Sequence, residues 1–368
     1  MQITANTTGM AAGLCVVADV DARDHCVVVI KGTFVADAHG AMSLHSEQEP
    51  VVRADEHYGD PETTPIRREC EFALRKPSVD ILVDGFAIPP GAEPVRELPV
   101  ALELRGRRKV ALVSGDRRWV RAAGSLTPSN PAPFTSIPLT YDRAFGGVDD
   151  SKGPGETKAE LRNLAGIGYH PNRSSAEIDG TAVPNIERPE ERLASPRGRA
   201  NPIGFGCIGR TWKPRIDLTG TYDQSWLDDV APFLPADFDE RYFQSAPPDQ
   251  QLPSINAGEV IRCIHMSPEP VVQYSLPTGG VPVVFDFADG PRRAPSRLDT
   301  VILQPHHRIA HLIWRCSTPL GKRLHDLHGV RLGPTPSDAD GLCGYRDGKP
   351  MFRSLREAVR WLSRNRRL

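Results

Sequence analysis

The chain has 368 residues, with 45 Lys and Arg against 46 Asp and Glu, for a formal net charge of −1. This balance lacks the basic excess of a nucleic-acid-binding protein, and 39% hydrophobic with 25% charged residues excludes general disorder. The seven cysteines, at 15, 26, 70, 207, 263, 316 and 343, form no C-x-x-C pair and suit a reducing compartment. The first twenty residues lack a basic region and a long apolar run, and no segment approaches the roughly 18 apolar residues of a membrane span. The expectation is a soluble, cytoplasmic protein without membrane insertion.

Proline is the unusual component: 35 Pro and 32 Gly favour short strands and ordered loops over long helices. Residues 1–124 read as an N-terminal β region. Leu14–Ala18 and His25–Ile30 are β-branched runs split by turn residues, and Val79–Val83 is a further strand. Val100–Leu104, the basic turn Arg105–Arg108 and Lys109–Val113 read as a hairpin.

Residues 125–255 are rich in Pro, Gly and aromatics, with only short helical signals. Thr157-x-x-Glu160, Thr221-x-x-Gln224 and Asp237-x-x-Glu240 each resemble an N-cap with a partner three residues on. The second predicts a helix that turns Trp226, Leu227 and Val230 inward and ends at Pro232. Its aromatics favour a segment packed by its own side chains.

Strands return over 256–332, at Val260–His265, Val271–Leu276, Val281–Phe287, Leu298–Gln304 and Ile309–Cys316, reading as an antiparallel meander. They are expected to complete a sheet, sandwich or barrel-like core begun by the first third. The tail, 333–368, reads as a loop to Gly348, then a basic amphipathic helix from Ser354 with Leu355, Val359 and Leu362 on one stripe. Its arginines suit an acidic partner or a membrane surface, but a stripe docked on its own domain is the favoured reading. The fold class is mainly β, or β-rich α+β.

Catalytic signals are weak. Gly204-Phe205-Gly206-Cys207-Ile208-Gly209 matches G-x-G-x-x-G, but Asn201-Pro202 precedes it and Pro214 follows, where a strand and a helix are required. A tight glycine-lined loop fits better. Cys207 would need a lowered pKa to act as a nucleophile. His306-His307-x-x-x-His311 and His325-x-x-His328 lack the glutamate of a metalloprotease helix, and the former lies in an alternating, strand-like segment. Asp149-Asp150 and Asp228-Asp229 read as caps and turns. No catalytic residue, metal ligand or cofactor is assigned.

A series of ordered motifs is more distinctive. It runs from Lys76-Pro77-Ser78-Val79-Asp80 through Gly115-Asp116-Arg117-Arg118-Trp119, then Pro138-Leu139-Thr140-Tyr141-Asp142-Arg143-Ala144-Phe145-Gly146-Gly147. Pro184-Asn185-Ile186-Glu187, Pro202-Ile203-Gly204-Phe205-Gly206 and Trp212-Lys213-Pro214-Arg215 follow. Gly220-Thr221-Tyr222-Asp223, Pro235-Ala236-Asp237-Phe238-Asp239 and Ala246-Pro247-Pro248-Asp249-Gln250-Gln251 end it. In this order, over roughly Leu14 to Leu320, the chain resembles the bacterial domain of unknown function 2169 family, encoded beside type VI secretion effectors. The tail beyond Leu332 lies outside the similarity.

The resemblance implies a non-enzymatic adaptor or chaperone that binds a cognate secreted effector and helps load it onto the spike protein of the type VI machine. It transfers no catalytic residue and sets no oligomeric state. Trp212, Tyr222, Trp226, Tyr242 and Phe243 cluster in the Pro-rich stretch and are the candidate partner-binding residues; the competing reading puts them in a core under the loops. The alternatives are a Cys- or metal-dependent hydrolase, or a structural or carbohydrate-binding β module.

Overall fold

The β-branched runs become the longest strands of the protein in a computed structural model that describes residues 1–277, 279–321, 326–334, 342–346, 349–352 and 359. In chain order the principal strands are β1 (Ala11–Ala18), β2 (Asp24–Ala36), β3 (Val79–Val83), β4 (Glu97–Leu104), β5 (Arg107–Ser114) and β6 (Val260–Ile264). Then come β7 (Val271–Ser275), β8 (Pro282–Phe287), β9 (Arg297–Gln304), β10 (Ile309–Pro319) and β11 (Leu327–Leu332).

A seven-stranded central sheet runs β1-β2-β10-β9-β3 and then Gln251–Leu252, with Met42–Leu44 added beside β2. A five-stranded antiparallel sheet runs Ile186–Glu187, β5, β4, β6, β7, and a four-stranded one Ile3–Asn6, β11, β8, Gly290–Pro295. The protein is mainly β, its sheets largely antiparallel, and none closes into a barrel. The expected hairpin is present: Leu104 pairs with Arg107, and Arg105 and Gly106 between them both have positive φ. That is the two-residue turn whose twist matches its strands.

Alternation sorts each central strand onto two faces. Val28 and Ile30 of β2, Ile81 and Val83 of β3, Val301 and Leu303 of β9, and Leu312 and Trp314 of β10 enter the main core. They pack there with residues of the other two sheets, including Val100, Ile261, Tyr274 and Phe285. The opposite face carries Lys31, Asp80, Thr300, Gln304, His311 and Arg315, all buried. A strap spanning residues 45–76 and the segment 205–250 cover it. Lys31 Nζ lies 3.0 Å from Glu71, whose other carboxylate oxygen accepts from the Val52 amide at 2.8 Å. Arg315 pairs with Asp299 at 2.7 Å and donates to the Glu71 carbonyl. Asp80 accepts from Lys76 at 2.8 Å, from the Gln244 amide group at 2.6 Å and from the Ser245 backbone at 2.8 Å.

Some expectations are corrected. The strands after Gly258 do not form a simple meander, because β9 pairs in parallel with β3 and Ile3–Asn6 in parallel with β11. Between Gly333 and Gly348 the tail is not all loop: Leu342–Arg346 pairs antiparallel with Lys349–Phe352. No helix forms at Thr157, where Lys158–Ala159 pairs with Val148–Asp149 instead. The expected helix from Ser354, with its stripe, lies outside the described residues apart from Val359. Among the described residues no helix is long and apolar enough to cross a membrane.

His311 reports on the charged face. Its Nδ1 lies 3.3 Å from the Thr33 hydroxyl and its Nε2 3.3 Å from the Gln304 amide oxygen. Burial, then Arg68 and Lys31, lower its pKa to about 3, with Asp84 opposing. The unfolded chain therefore binds a proton between about pH 3 and 6.5 that the fold refuses, so stability falls as pH falls through that window. Chemical denaturation is expected to show His311→Asn losing about 1–2 kcal/mol less than the parent between pH 7 and 5; parallel curves would place the acid loss elsewhere. Removing a partner from a buried pair strands the other charge, so Asp80→Ala is expected to cost about 3–5 kcal/mol. Arg75→Ala, which breaks only the exposed pair with Glu240, is expected to cost under about 1 kcal/mol in the same assay.

Candidate functional site

Arg215 closes a neck. From the buried start of a short 3-10 helix, its guanidinium donates to the Tyr242 carbonyl at 3.0 Å and the Ile208 carbonyl at 2.7 Å, and pairs with Glu69 at 2.5 Å. The chain between, residues 216–243, is thereby held as a lobe. Inside it, Asp223 caps helix α2 (Gln224–Asp229; the four-residue Ser175–Ile178 is α1) by accepting from the Trp226 amide at 2.9 Å. The Trp226 indole donates to the Phe233 carbonyl at 2.9 Å, and Thr221 donates to Asp237 through its amide and hydroxyl.

Thr221 is thus a tie to Asp237 and not the helix cap, which falls two residues later. Asp239, not Asp237, caps the following 3-10 turn. The one capping box among these loops is Ser174 with Glu177, ahead of α1. Leu227 does not turn inward: it is 57% exposed, alongside Tyr222 at 50% and Phe233 at 41%. A helix this short has no core-facing stripe to bury. Residues 216–240 contain seven acidic residues and no Lys or Arg; Asp217, Asp239 and Glu240 pair with Lys213, Arg241 and Arg75, which leaves Asp223, Asp228, Asp229 and Asp237 as the acids beside the exposed apolar side chains.

The five candidate aromatics divide into three groups. Tyr222 and Trp226 meet edge to face at 4.7 Å, with Tyr222 outward. Tyr242 and Phe243, half-buried, gather around Phe238 at 5.7 and 5.4 Å and form the packing of the lobe. Trp212 is buried in the main core against Tyr141, at 5.3 Å. Leu227 and Phe233 were not legible as surface residues; the signal was the flanking acids Asp228 and Asp229, which would be stranded if the helix were buried.

Beside the neck opens a cleft of about 580 Å³ with Tyr141, Lys109 and Arg188 in its lining. Lys109 Nζ donates to Asp249 at 2.9 Å and Gln250 at 2.7 Å. Its burial lowers the pKa to about 8, and Asp249 limits the drop. The glycine segment forms part of this wall. It is loop throughout, with no strand before or helix after, as a dinucleotide site requires. Gly204 and Gly209 are there because the Tyr141 and Trp212 rings lie against them: an added Cβ would come within 2.6 and 2.7 Å of those rings.

The other candidates take structural roles. Cys207 is buried and burial pushes its thiol up to about 12, the reverse of an activated nucleophile. His306 and His307 lie against one another with ring centres 4.0 Å apart and tilted by 46°, and His311 is sequestered on the central sheet. His328 is exposed, while His325 lies outside the described residues. No group of three or more His, Cys, Asp or Glu suited to a metal occurs among the described residues. Asp149 ends the short strand Val148–Asp149, accepting from Ser151 and the Asn172 amide.

A mainly-β scaffold with a necked acidic lobe and an adjoining cleft is the class these features define. The family model of an uncharacterized protein conserved in bacteria, DUF2169, matches residues 21–315, and the chain belongs to that family. No curated protein and no solved structure matches it.

Trp212→Ala is expected to destabilise the fold by about 3–5 kcal/mol, and Tyr222→Ala by no more than about 0.5 kcal/mol, in urea titrations. Equal costs would mean that Tyr222 is not a surface residue.

Proposed function

We propose that the protein is a non-enzymatic adaptor that binds a cognate effector of a type VI secretion machine in the cytoplasm and assists its loading onto the spike protein. The observation that carries this reading is the lobe: Tyr222, Leu227 and Phe233 stand exposed on a segment whose neck is fixed by a buried arginine. Large apolar side chains held in water by a rigid scaffold supply the desolvation that anchors a protein partner. The acidic surround favours a partner with a basic rim and steers its approach. The motif resemblance supports the same role, and the inert thiol at Cys207 gives a hydrolase reading no support.

The test is co-purification from cells carrying the neighbouring genes, comparing the parent with a Tyr222→Ala, Leu227→Ser, Phe233→Ser triple variant. The parent is expected to retain a stoichiometric effector. The variant should keep its melting temperature to within a few degrees and retain at least tenfold less, since loss of a central anchor costs about 2 kcal/mol or more. Undiminished retention would remove the lobe from the interface, and a parent that elutes alone would count against the adaptor itself.

A further inference from the structure

Strand β1 closes one side of the central sheet and leaves its outer edge open. The Asp19 amide donates to the Arg23 carbonyl at 3.0 Å, and the register with β2 then runs unbroken from Ala18 opposite Asp24 to Ala11 opposite Lys31. Bonded pairs alternate along an antiparallel ladder, so the amides and carbonyls of Ala12, Leu14, Val16 and Ala18 point away from β2. None of these groups has a hydrogen-bond partner among the described residues. A row of amides and carbonyls at strand spacing is complementary to the backbone of another extended chain.

The other edges of the three large sheets are guarded. Gly290–Pro295 carries Pro291, Arg292, Arg293 and Pro295, and β7 is met by the turn before Met42, where the Ser275 amide donates to the Gly40 carbonyl at 2.8 Å. Ile3–Asn6, Met42–Leu44, Ile186–Glu187 and Gln251–Leu252 are four residues or fewer. By contrast β1 has eight residues, with no charge and no proline from Met10 to Ala18, and Val16 is 41% exposed. Long, uncharged edges of this kind are normally covered, because an open one templates aggregation.

We propose that β1 pairs antiparallel with β1 of a second copy of this chain, about a two-fold axis at Cys15, joining the two central sheets into one. Opposed residues must turn their backbone groups toward each other, which restricts the register to outward residues facing outward ones. With Cys15 on the axis, Ala12 faces Ala18 of the second copy and Leu14 faces Val16. Every outward group of both strands is then bonded, and the exposed valine is covered by leucine. Val17 falls opposite Gly13, a branched side chain beside none. The charges suit this register as well. Asp19 falls opposite Ala11, and its diagonal neighbour is Gly13, against which the Arg53 guanidinium lies. In-register parallel pairing would instead set Asp19 beside Asp19. This self-complementarity selects a second copy over an unrelated strand. The edge uses none of the lobe residues and does not depend on the adaptor reading.

An edge of eight residues makes a small interface, so the dimer is expected to dissociate in the micromolar range. Sedimentation equilibrium of the full-length protein across that range should show monomer passing to dimer. Val16→Pro removes an outward amide that no internal bond uses, and Val16→Lys sets a charge against Leu14 on both sides of the axis. Each should raise the dissociation constant at least about tenfold. Both should keep the parent's melting temperature where the parent is a monomer, and the lysine variant carries the test should proline disturb the fold. Across the axis the two Cys15 residues form a non-hydrogen-bonded pair with Cα atoms about 4.5 Å apart, inside the roughly 4.4–6.8 Å that a disulfide spans. Oxidised glutathione should therefore link the dimer, the two thiols becoming one disulfide as glutathione disulfide takes up their two hydrogens. The reaction is run in a Cys70→Ser background because Cys70 adjoins Cys15, and peptide mapping should find Cys15 joined to Cys15. The lobe triple variant should dimerise as the parent does, and a dimer that captures no effector would count against the adaptor reading alone. The proposal is overturned if the parent stays a monomer throughout, if neither Val16 variant weakens the dimer, or if oxidation joins no Cys15 pair.

Discussion

Lys31 and Arg315 rise, buried, from one face of the central sheet, and each meets a carboxylate, Glu71 and Asp299, at 3.0 and 2.7 Å. Lys76 and Arg68 come down from the covering strap and meet Asp80 and Asp84 on the same face, at 2.8 and 3.1 Å. Such pairs add little net stability compared with an apolar layer of the same shape. What they add is discrimination. Sliding the strap by one residue would leave charges buried without partners, so only one arrangement of residues 45–76 and 244–250 over the sheet is tolerable. The apolar face, by contrast, accepts any close-packed set of aliphatic side chains of the right volume.

That constraint explains where the distinctive motifs fall. Lys76 and Asp80 form one of the buried pairs. Gln250 donates to the carbonyls of Ile81 and Phe205, tying the segment 246–251 to β3 and to the glycine loop at once. Arg117 pairs with Glu187 in a buried contact of 2.6 Å, and Asn185 donates to the Ser114 carbonyl. Arg215 forms the neck. The motifs that carry the family resemblance are thus largely the polar locks of the fold, and this is why they read as specific without reading as catalytic. A signature made of buried hydrogen-bonding residues identifies an architecture; the surface that acts on a partner is written in residues between the locks.

The two classes were unequally legible in the sequence. Val79–Val83, Leu298–Gln304 and Ile309–Cys316 announced themselves by β-branching and alternation, because a strand records its own burial at a period of two. The parallel pairing of β9 with β3 was hidden, since it joins residues more than 200 positions apart and nothing local fixes it. The lobe was misread in part because capping patterns are short: Thr221 and Asp223 both suit an N-cap, and the choice is made by Asp237, which claims Thr221.

The neck at Arg215 joins these levels. It is pinned to Ile208 on one side and Tyr242 on the other, and Pro214 and Asp217 beside it line the cleft while Ile216 begins the exposed lobe. A partner that engages both surfaces would meet elements fixed relative to one another before it arrives. Binding then costs less ordering entropy than it would on a free loop of 28 residues, and the saving appears as affinity without any added contact. The buried charges of the central sheet act at this distance too, because Gln244 and Ser245, which follow the lobe directly, end on Asp80. A layer of ion pairs that contributes little to net stability thereby sets the position of the surface that a partner would touch.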